Sequence, residues 1–216
     1  MRRITVVTAD IIESRSAGDY KKSLKRKLDE LRHPALLSPF TLSRGDEIQG
    51  VLEGWLRAPE IVRHLRLACR PLELRVGIGI GLQAEPLEAN PWEMDGPAFH
   101  RARSALDGAK RKKERSTTVR TGSPELDDLL NCIWLLIDVR QAKWTDKQWA
   151  AVQAYEKYAT YEEASKKLGI SLQNVQKRCR AADWQELKAA EKTLARTEIY
   201  AAWFNLVEGE TEHFTI

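Results

Sequence analysis

The sequence predicts an α+β domain followed by an all-α domain. Its 216 residues are 43% apolar and 31% charged, which is typical of a globular protein with a substantial core. The first half alternates between β-branched apolar runs and stretches whose leucines recur at helical spacing, whereas only helical spacing follows Gly122-Ser123-Pro124. We therefore predict two domains, over residues 1–122 and 123–216.

Five strand patterns and three helix patterns fill the first domain. The strand patterns, in chain order, are ITVVTADII, FTLS, EIQGVLEGW, LELRVGIGIG and STTVRTG. The helix patterns cover residues 18–33, 59–69 and 95–110. Gly45 supplies a tight turn between the second and third strands. This order predicts a sheet with its helices on one face.

Three acidic residues fall at the ends of predicted strands. Asp10 ends the first strand, while Asp46 and Glu47 occupy the tip of the hairpin. If these strands are neighbours, the carboxylates converge and repel each other unless a divalent cation neutralises them. Mg²⁺ prefers one or two carboxylates together with water and substrate phosphates, so we predict a Mg²⁺ site here. The alternative is that Asp10 caps a helix and that the hairpin acids are ordinary turn residues.

The motif series of the first domain resembles a known family. The segments VVTADIIESR, RGDEIQG, LRVGIGIG and DGPAFHRAR, taken in order, resemble SatD-type proteins over most of the first 110 residues. The same series is similar, more distantly, to class III nucleotidyl cyclases, which have a palm-type, ferredoxin-like fold. In those enzymes a first-strand Asp and a hairpin Asp hold two metal ions, and Asp10 and Asp46 stand at the matching places.

The cyclase resemblance also implies a nucleotide site. Asp95 stands where cyclases carry a base-reading Asp, and Arg101 and Arg103 follow closely. The Asn and Arg that come next in cyclases are replaced here by His100 and Ser104. The resemblance therefore implies nucleotide binding by Asp95, Arg101 and Arg103 more strongly than it implies cyclisation. Taken alone, Asp95 before Gly-Pro is a favourable helix start.

The second domain carries a helix-turn-helix pattern over about residues 146–183. Thr160 and Glu163 form a capping-box pair, Gly169 supplies a left-handed turn, and Ser171 caps the next helix. The spacing A-x3-LGIS-x3-V is similar to sigma-factor region-four and LuxR-type helix-turn-helix units. This resemblance implies that residues 172–182 form a recognition helix in the major groove of double-stranded DNA.

The proposed recognition helix has two distinct faces. Val175 and Cys179 are predicted to face inward, as is Ala182. The outward side chains are Gln173, Asn174, Gln176, Lys177, Arg178 and Arg180. Gln and Asn suit base edges, whereas Lys and Arg suit phosphates. The alternative is a helical hairpin that only contacts other proteins.

The charge distribution is uneven along the chain. Residues 1–122 hold 23 basic and 16 acidic side chains, and the remaining residues hold 12 and 15, within an overall net charge of +4. Residues 157–180 nevertheless carry six basic and only two acidic side chains. This local excess of positive charge is what a nucleic-acid contact requires.

Two further helices are predicted around this unit. The segment PELDDLLNCIWLLIDVRQAKW has so dense an apolar stripe that it must pack on the helix-turn-helix, on the sheet or on a second copy. Residues 184–207 form a closing helix. Readers of DNA half-sites and cyclase-type domains both tend to be dimers, so we expect a homodimer.

These observations predict a cytoplasmic DNA-binding regulator of transcription whose first domain is a nucleotide or metal sensor or a dimerisation platform. A metal-dependent, nucleotidyl cyclase-like enzyme targeted by its helical tail is the alternative, and an interaction module with neither activity is a third. No segment has the length of a membrane span, and no secretory signal is evident. We expect Cys69, Cys132 and Cys179 to be small core residues.

Overall fold

The computed structural model describes residues 2–12, 20–43, 45–54, 59–83, 88, 90–112 and 116–196, which form one mixed sheet of five strands and eight α-helices. The strands are β1 (Arg2–Ile11), β2 (Leu36–Leu42), β3 (Glu47–Glu53), β4 (Leu74–Gln83) and β5 (Thr117–Arg120). The helices are α1 (Tyr20–Glu30), α2 (Pro59–Cys69), α3 (Pro97–Lys112), α4 (Pro124–Gln141), α5 (Asp146–Tyr158), α6 (Tyr161–Leu168), α7 (Leu172–Ala181) and α8 (Trp184–Leu194).

The strands lie in the order β2-β3-β1-β4-β5. All neighbours are antiparallel except β4 and β5, which are parallel. The central strand β1 pairs Asp10 with Glu47 of β3 on one side and with Arg75 of β4 on the other. The acidic end of β1 therefore meets the start of β3, as the hairpin pattern predicted.

Helices cover both faces of the sheet. Val7 and Ile11 of β1 belong to the large core cluster that contains the apolar residues of α1 and α2. Ile4 and Val6 belong to a second cluster together with Ala98 of α3 and neighbouring residues. The prediction that all helices lie on one face is therefore wrong, because α3 covers the opposite face.

Alternating glycines in β4 explain how α3 approaches the sheet so closely. A Cβ atom at Gly77 would lie 2.3 Å from the carbonyl oxygen of Ala102, and one at Gly79 would lie 2.0 Å from that of Ala98. Any side chain at these positions would push the helix away. The close contact fixes α3 above β1 and β4, so side chains near its C-terminal end reach the end of β1.

Helix α4 covers the outer edge of β5 with polar side chains. Asn131 accepts a hydrogen bond from the Val119 amide at 2.7 Å and donates to the Val119 carbonyl at 3.2 Å. Asp127 accepts from the Thr121 amide at 2.6 Å, and Asp138 accepts from the Thr117 amide. These contacts satisfy backbone groups that an open sheet edge would leave unpaired.

The helices after β5 extend the core cluster that begins on the sheet. Trp144 belongs to this cluster, and the centroid of its ring lies 4.7 Å from that of Trp149 and 6.3 Å from that of Trp184. The domain boundary predicted after residue 122 falls between β5 and α4, yet both sides contribute to the same cluster. The predicted closing helix is described as far as α8, and the rest of it lies outside the described residues.

Arginines of α2 connect the sheet to the later helices. Arg63 is buried and forms a bidentate ion pair with Glu156 of α5 and a second ion pair with Glu191 of α8. Arg66 contacts Asp138 at 2.8 Å. Both contacts join residues on either side of the predicted domain boundary.

Cys69 and Cys179 are buried in the core, as predicted, and burial raises their thiol pKa values to about 12 and about 11. Cys132 is exposed, so the prediction that it is a core residue is wrong. It lies on the outer face of α4, which the periodicity did not distinguish from the inner one. None of the helices in the described part of the chain is long and apolar enough to cross a membrane.

Candidate functional site

Two carboxylates meet at the acidic end of β1. Asp10 is buried and lies opposite Glu47 in the β1–β3 register. The Nζ atom of Lys110, in α3, lies 3.1 Å from Asp10 Oδ1 and 2.9 Å from Glu47 Oε1. One ammonium group therefore bridges both acids.

Two guanidinium groups complete this cluster. Arg75 Nη1 donates to Asp10 Oδ2 at 3.0 Å, and Arg103 Nη1 donates to Glu47 Oε2 at 2.9 Å. Burial alone would lower the pKa of Lys110, but its hydrogen bonds to Glu47 and Asp10 outweigh that effect and raise it. The lysine is therefore cationic at neutral pH, and the two acids share three cationic partners.

The arrangement of these side chains bears directly on the predicted metal site. Asp10 and Glu47 are a carboxylate pair of the kind that Mg²⁺ takes together with water and phosphate ligands. Lys110, however, lies between them, and within the described residues no three His, Cys, Asp or Glu side chains form a metal-binding group. As arranged, the residues do not fit a resident Mg²⁺, because the ion would have to displace Lys110. The Mg²⁺ expectation stays a prediction.

Asp46 lies beside the cluster at the start of β3. Its backbone carbonyl accepts a hydrogen bond from the Ile11 amide at 3.3 Å, which joins the hairpin tip to the end of β1. The structure thus brings Asp10, Asp46 and Glu47 to one end of two adjacent strands. A role for Asp46 as a metal ligand stays a prediction.

The three residues predicted to bind a nucleotide have different surroundings. Arg103 contacts Glu47 of the carboxylate pair. Arg101 donates a hydrogen bond of 2.7 Å to the Ile80 carbonyl. Ile80 lies five residues along β4 from Arg75, which is about 17 Å in an extended strand. Asp95 is exposed and lies 3.1 Å from His100. The structure therefore brings only Arg103 to the carboxylate pair.

The helix starts and the turn of the α6–α7 unit are as its sequence predicts, but the predicted capping box is only half formed, because the Glu163 side chain contacts Lys166 and not the Thr160 amide. Thr160 accepts a hydrogen bond from the Glu163 amide and begins α6, which ends at Gly169 with φ of 65°. Ser171 accepts a hydrogen bond from the Asn174 amide and begins α7. Two short helices are thus joined by a three-residue turn, and both contact α5.

The two faces of α7 divide as predicted. Val175, Cys179 and Ala182 are almost fully buried. Five of the six predicted outward side chains are exposed and Arg178 is half-buried. Among the residues that the structure describes, none forms an ion pair with Lys177, Arg178 or Arg180. Lys166 of α6 differs, because it contacts Glu162 at 3.1 Å and Glu163 at 2.7 Å.

Sequence reasoning missed Lys110 and Arg75. Lys110 begins the basic run KRKKER, which reads as a solvated helix end. The available signal was its spacing, because Lys110 follows Arg103 by seven residues and so lies on the same face of α3. Arg75 had no local signal, since only strand pairing brings it beside Asp10.

Comparison with known proteins identifies a family for this chain. The sequence profile of the SatD family matches residues 4–195, so the chain belongs to the SatD family. The match begins within β1 and spans the other four strands and all eight described α-helices. No curated protein matches the chain.

Proposed function

We propose that this SatD-family protein binds double-stranded DNA and regulates transcription, with α6 and α7 as its helix-turn-helix. The observation that supports this proposal is the outward face of α7, where Lys177, Arg178 and Arg180 have no acidic partner among the described residues. Such side chains can contact phosphates without first breaking an ion pair. Lys166, already held by Glu162 and Glu163, is a weaker candidate.

The role that we propose for each side chain follows from its position along α7. Gln173 and Asn174 are exposed in the first turn after Ser171, and the first turn of a recognition helix is the part that reaches base edges. Both amide types pair with adenine in the major groove. The basic residues follow one turn later, where the walls of the groove present phosphates, and Gln176 lies between the two sets.

For the first domain we propose a ferredoxin-like, palm-type fold that acts as a nucleotide or metal sensor or as a dimerisation platform. The order β1-α1-β2-β3-α2-β4, with strands arranged β2-β3-β1-β4, supports this fold. Arg103 and Lys110 are already ion-paired with Glu47 and Asp10, so a nucleotide phosphate would have to compete with these carboxylates for them.

A nucleotidyl cyclase-like enzyme is the second candidate function. The pairing of Asp10 with Glu47 across two central strands favours it. The bridging contact of Lys110 weighs against it, because a catalytic metal ion needs the same carboxylate oxygens. We therefore rank DNA binding first.

A salt series tests the DNA-binding proposal. Each phosphate contact releases counterions, so Lys177→Ala or Arg178→Ala should lower the slope of log K against log salt by about 0.9 and weaken binding to all duplexes alike. Gln173→Ala or Asn174→Ala should cost about 1–3 kcal/mol on a selected site and leave binding to random duplex nearly unchanged. Fluorescence anisotropy on both duplexes measures each effect.

Lys25→Ala is the matched control. Lys25 is an exposed lysine on α1, so its loss changes the net charge equally without changing α7. The control should keep the salt slope of the wild type. If the wild type has no salt-dependent affinity for duplex DNA, the helix-turn-helix is a protein-contact unit and the proposal fails.

A further inference from the structure

Helix α4 has an apolar stripe on its outer face as well as on its inner one. Leu129 is 52% exposed, Leu136 is 65% exposed and Val139 is 47% exposed, and Cys132 between them is exposed as well. Leu135, 53% exposed, lies beside this stripe. An apolar strip of this length in water is costly unless another surface covers it.

The spacing of the stripe is that of a helix-pairing seam. Leu129, Cys132, Leu136 and Val139 follow one another at intervals of three, four and three residues, which is the a/d pattern of paired helices. The inner face of the same helix is already occupied by the core and by β5. The seam is therefore a second apolar face, separate from the one that packs in the core.

The charges at the two ends of α4 determine the direction of pairing. Glu125 and Asp128 are exposed near its start, whereas Lys143 is exposed just beyond its end. Arg140, in the last turn, is half-exposed and is paired with Asp183 of the same chain. A parallel copy would place like charges together at both ends. An antiparallel copy places the acidic start of each α4 helix against the basic end of the other, and the two-fold symmetry makes this contact occur twice.

We propose that a second copy of this chain covers the outer face of α4 and forms an antiparallel, two-fold symmetric helix pair. The register places Leu129 opposite Val139 of the second copy, Cys132 opposite Leu136, and Glu125 opposite Lys143. In this register every apolar residue of the seam meets another one, and the flanking charges have opposite signs. This inference depends on α4 alone and does not depend on DNA binding.

Sedimentation equilibrium without DNA tests whether the dimer exists. The wild type should have the mass of two chains, and Leu136→Lys should raise the dimer dissociation constant at least about 100-fold, because the symmetric seam loses two leucines and gains two charges. Gln153→Lys, at an exposed site on α5, is the control and should stay dimeric. Circular dichroism verifies that both variants keep their helical content.

Cross-linking tests the register and direction. In a Cys132→Ala background, the two copies of Leu129→Cys would lie about 15 Å apart along an antiparallel pair, since each lies opposite residue 139. A short bismaleimide should therefore link the two chains of a dimer when each chain carries both Leu129→Cys and Val139→Cys. It should not link chains that carry only one of these substitutions. Cross-links in each single variant would indicate a parallel pair and overturn the proposed arrangement.

A different occupant of the stripe would give a different result. Ile199, Trp203, Phe204 and Leu206 follow α8 in the sequence and lie outside the described residues. If this segment of the same chain covers α4, the wild type has the mass of one chain at concentrations up to about 100 µM. A monomer at that concentration, whether or not it binds DNA, overturns the proposal.

Discussion

Lys110 determines the electrostatics at the end of β1. Asp10 and Glu47 lie opposite each other on adjacent strands, and without a cation between them the two carboxylates would repel. The ammonium group of Lys110 contacts both, so the protein supplies an internal counter-ion between them. Arg75 and Arg103 each hold one acid but do not bridge the two.

Replacing this lysine should expose the carboxylate pair to external cations. Lys110→Met keeps the aliphatic stem and removes the charge that competes with a metal ion. We expect Mn²⁺ or Mg²⁺ to bind this variant at least about tenfold more tightly than the wild type, which corresponds to a gain of about 1.4 kcal/mol in binding free energy. Isothermal titration calorimetry measures the affinity directly.

Arg111→Met is the control for this prediction, because Arg111 is exposed on the same helix and has no ion-pair partner among the described residues. It should bind Mn²⁺ as the wild type does. If the wild type binds the ion tightly and Lys110→Met binds it no better, Lys110 does not compete with metal at Asp10 and Glu47.

At the scale of elements, α4 stabilises the sheet through hydrogen bonds as well as through apolar contacts. Asn131 is the residue that satisfies both backbone groups of Val119. Asn131→Ala should therefore lower the free energy of unfolding by about 2 kcal/mol, because two backbone groups lose their partner. Urea denaturation followed by tryptophan fluorescence measures the loss.

Gln153→Ala on α5 serves as the comparison for Asn131→Ala, since its side chain is exposed and it should change stability by less than about 0.5 kcal/mol. Equal stabilities for the two variants would mean that water satisfies the edge of β5 as well as Asn131 does. The contact would then position α4 without stabilising the fold.

Elements with a strong local pattern were predictable from the sequence. The helix bounds 59–69 follow from Pro59 and from apolar spacing, and they agree with α2. The burial of Val175 and Cys179 follows from their four-residue separation, and the left-handed Gly169 ends α6 where the motif predicted. Each of these features depends on residues within one or two turns of each other.

Contacts between distant residues could not be predicted in the same way. Lys110 contacts Glu47, 63 positions away, and Arg63 contacts Glu191, 128 positions away. Local patterns favour exposure for a lysine in a basic run and for an arginine on a helix. Only the sheet topology and the packing of later helices reveal that both are held by acidic side chains.

At the scale of the whole molecule, the buried Arg63 network joins the sheet to the helical part. Its guanidinium contacts Glu156 and Glu191 and lies 4.5 Å from the centre of the Trp184 ring. Through these contacts α2, α5 and α8 share one buried cation. A shift of the helical part relative to the sheet would leave that charge without partners, which is costly in a protein interior.

The two acids of this network respond to their surroundings in opposite directions. Burial alone would raise the pKa of Glu156, but hydrogen bonds from His64 and Arg63 outweigh it and lower that pKa to about 2. Burial is the largest influence on Glu191 and raises its pKa against the attraction of Arg63. Glu156 also makes the shorter contacts with Arg63, at 2.6 Å for each of its two oxygens.

This difference predicts how stability depends on pH. Because the folded pKa of Glu156 lies below its unfolded value of 4.5, its contribution is fully present above pH 4.5 and is lost as the pH falls towards about 2. Glu156→Gln should thus be about 2 kcal/mol less stable than the wild type at neutral pH, and the difference should shrink at about pH 3. Glu191→Gln should cost less at neutral pH, since the raised pKa of Glu191 means that its ionised form is disfavoured in the folded state. Urea denaturation of the three proteins at both pH values measures these differences. A difference for Glu156→Gln that stays constant or grows in acid would show that Glu156 stabilises the junction by packing and not by its charge.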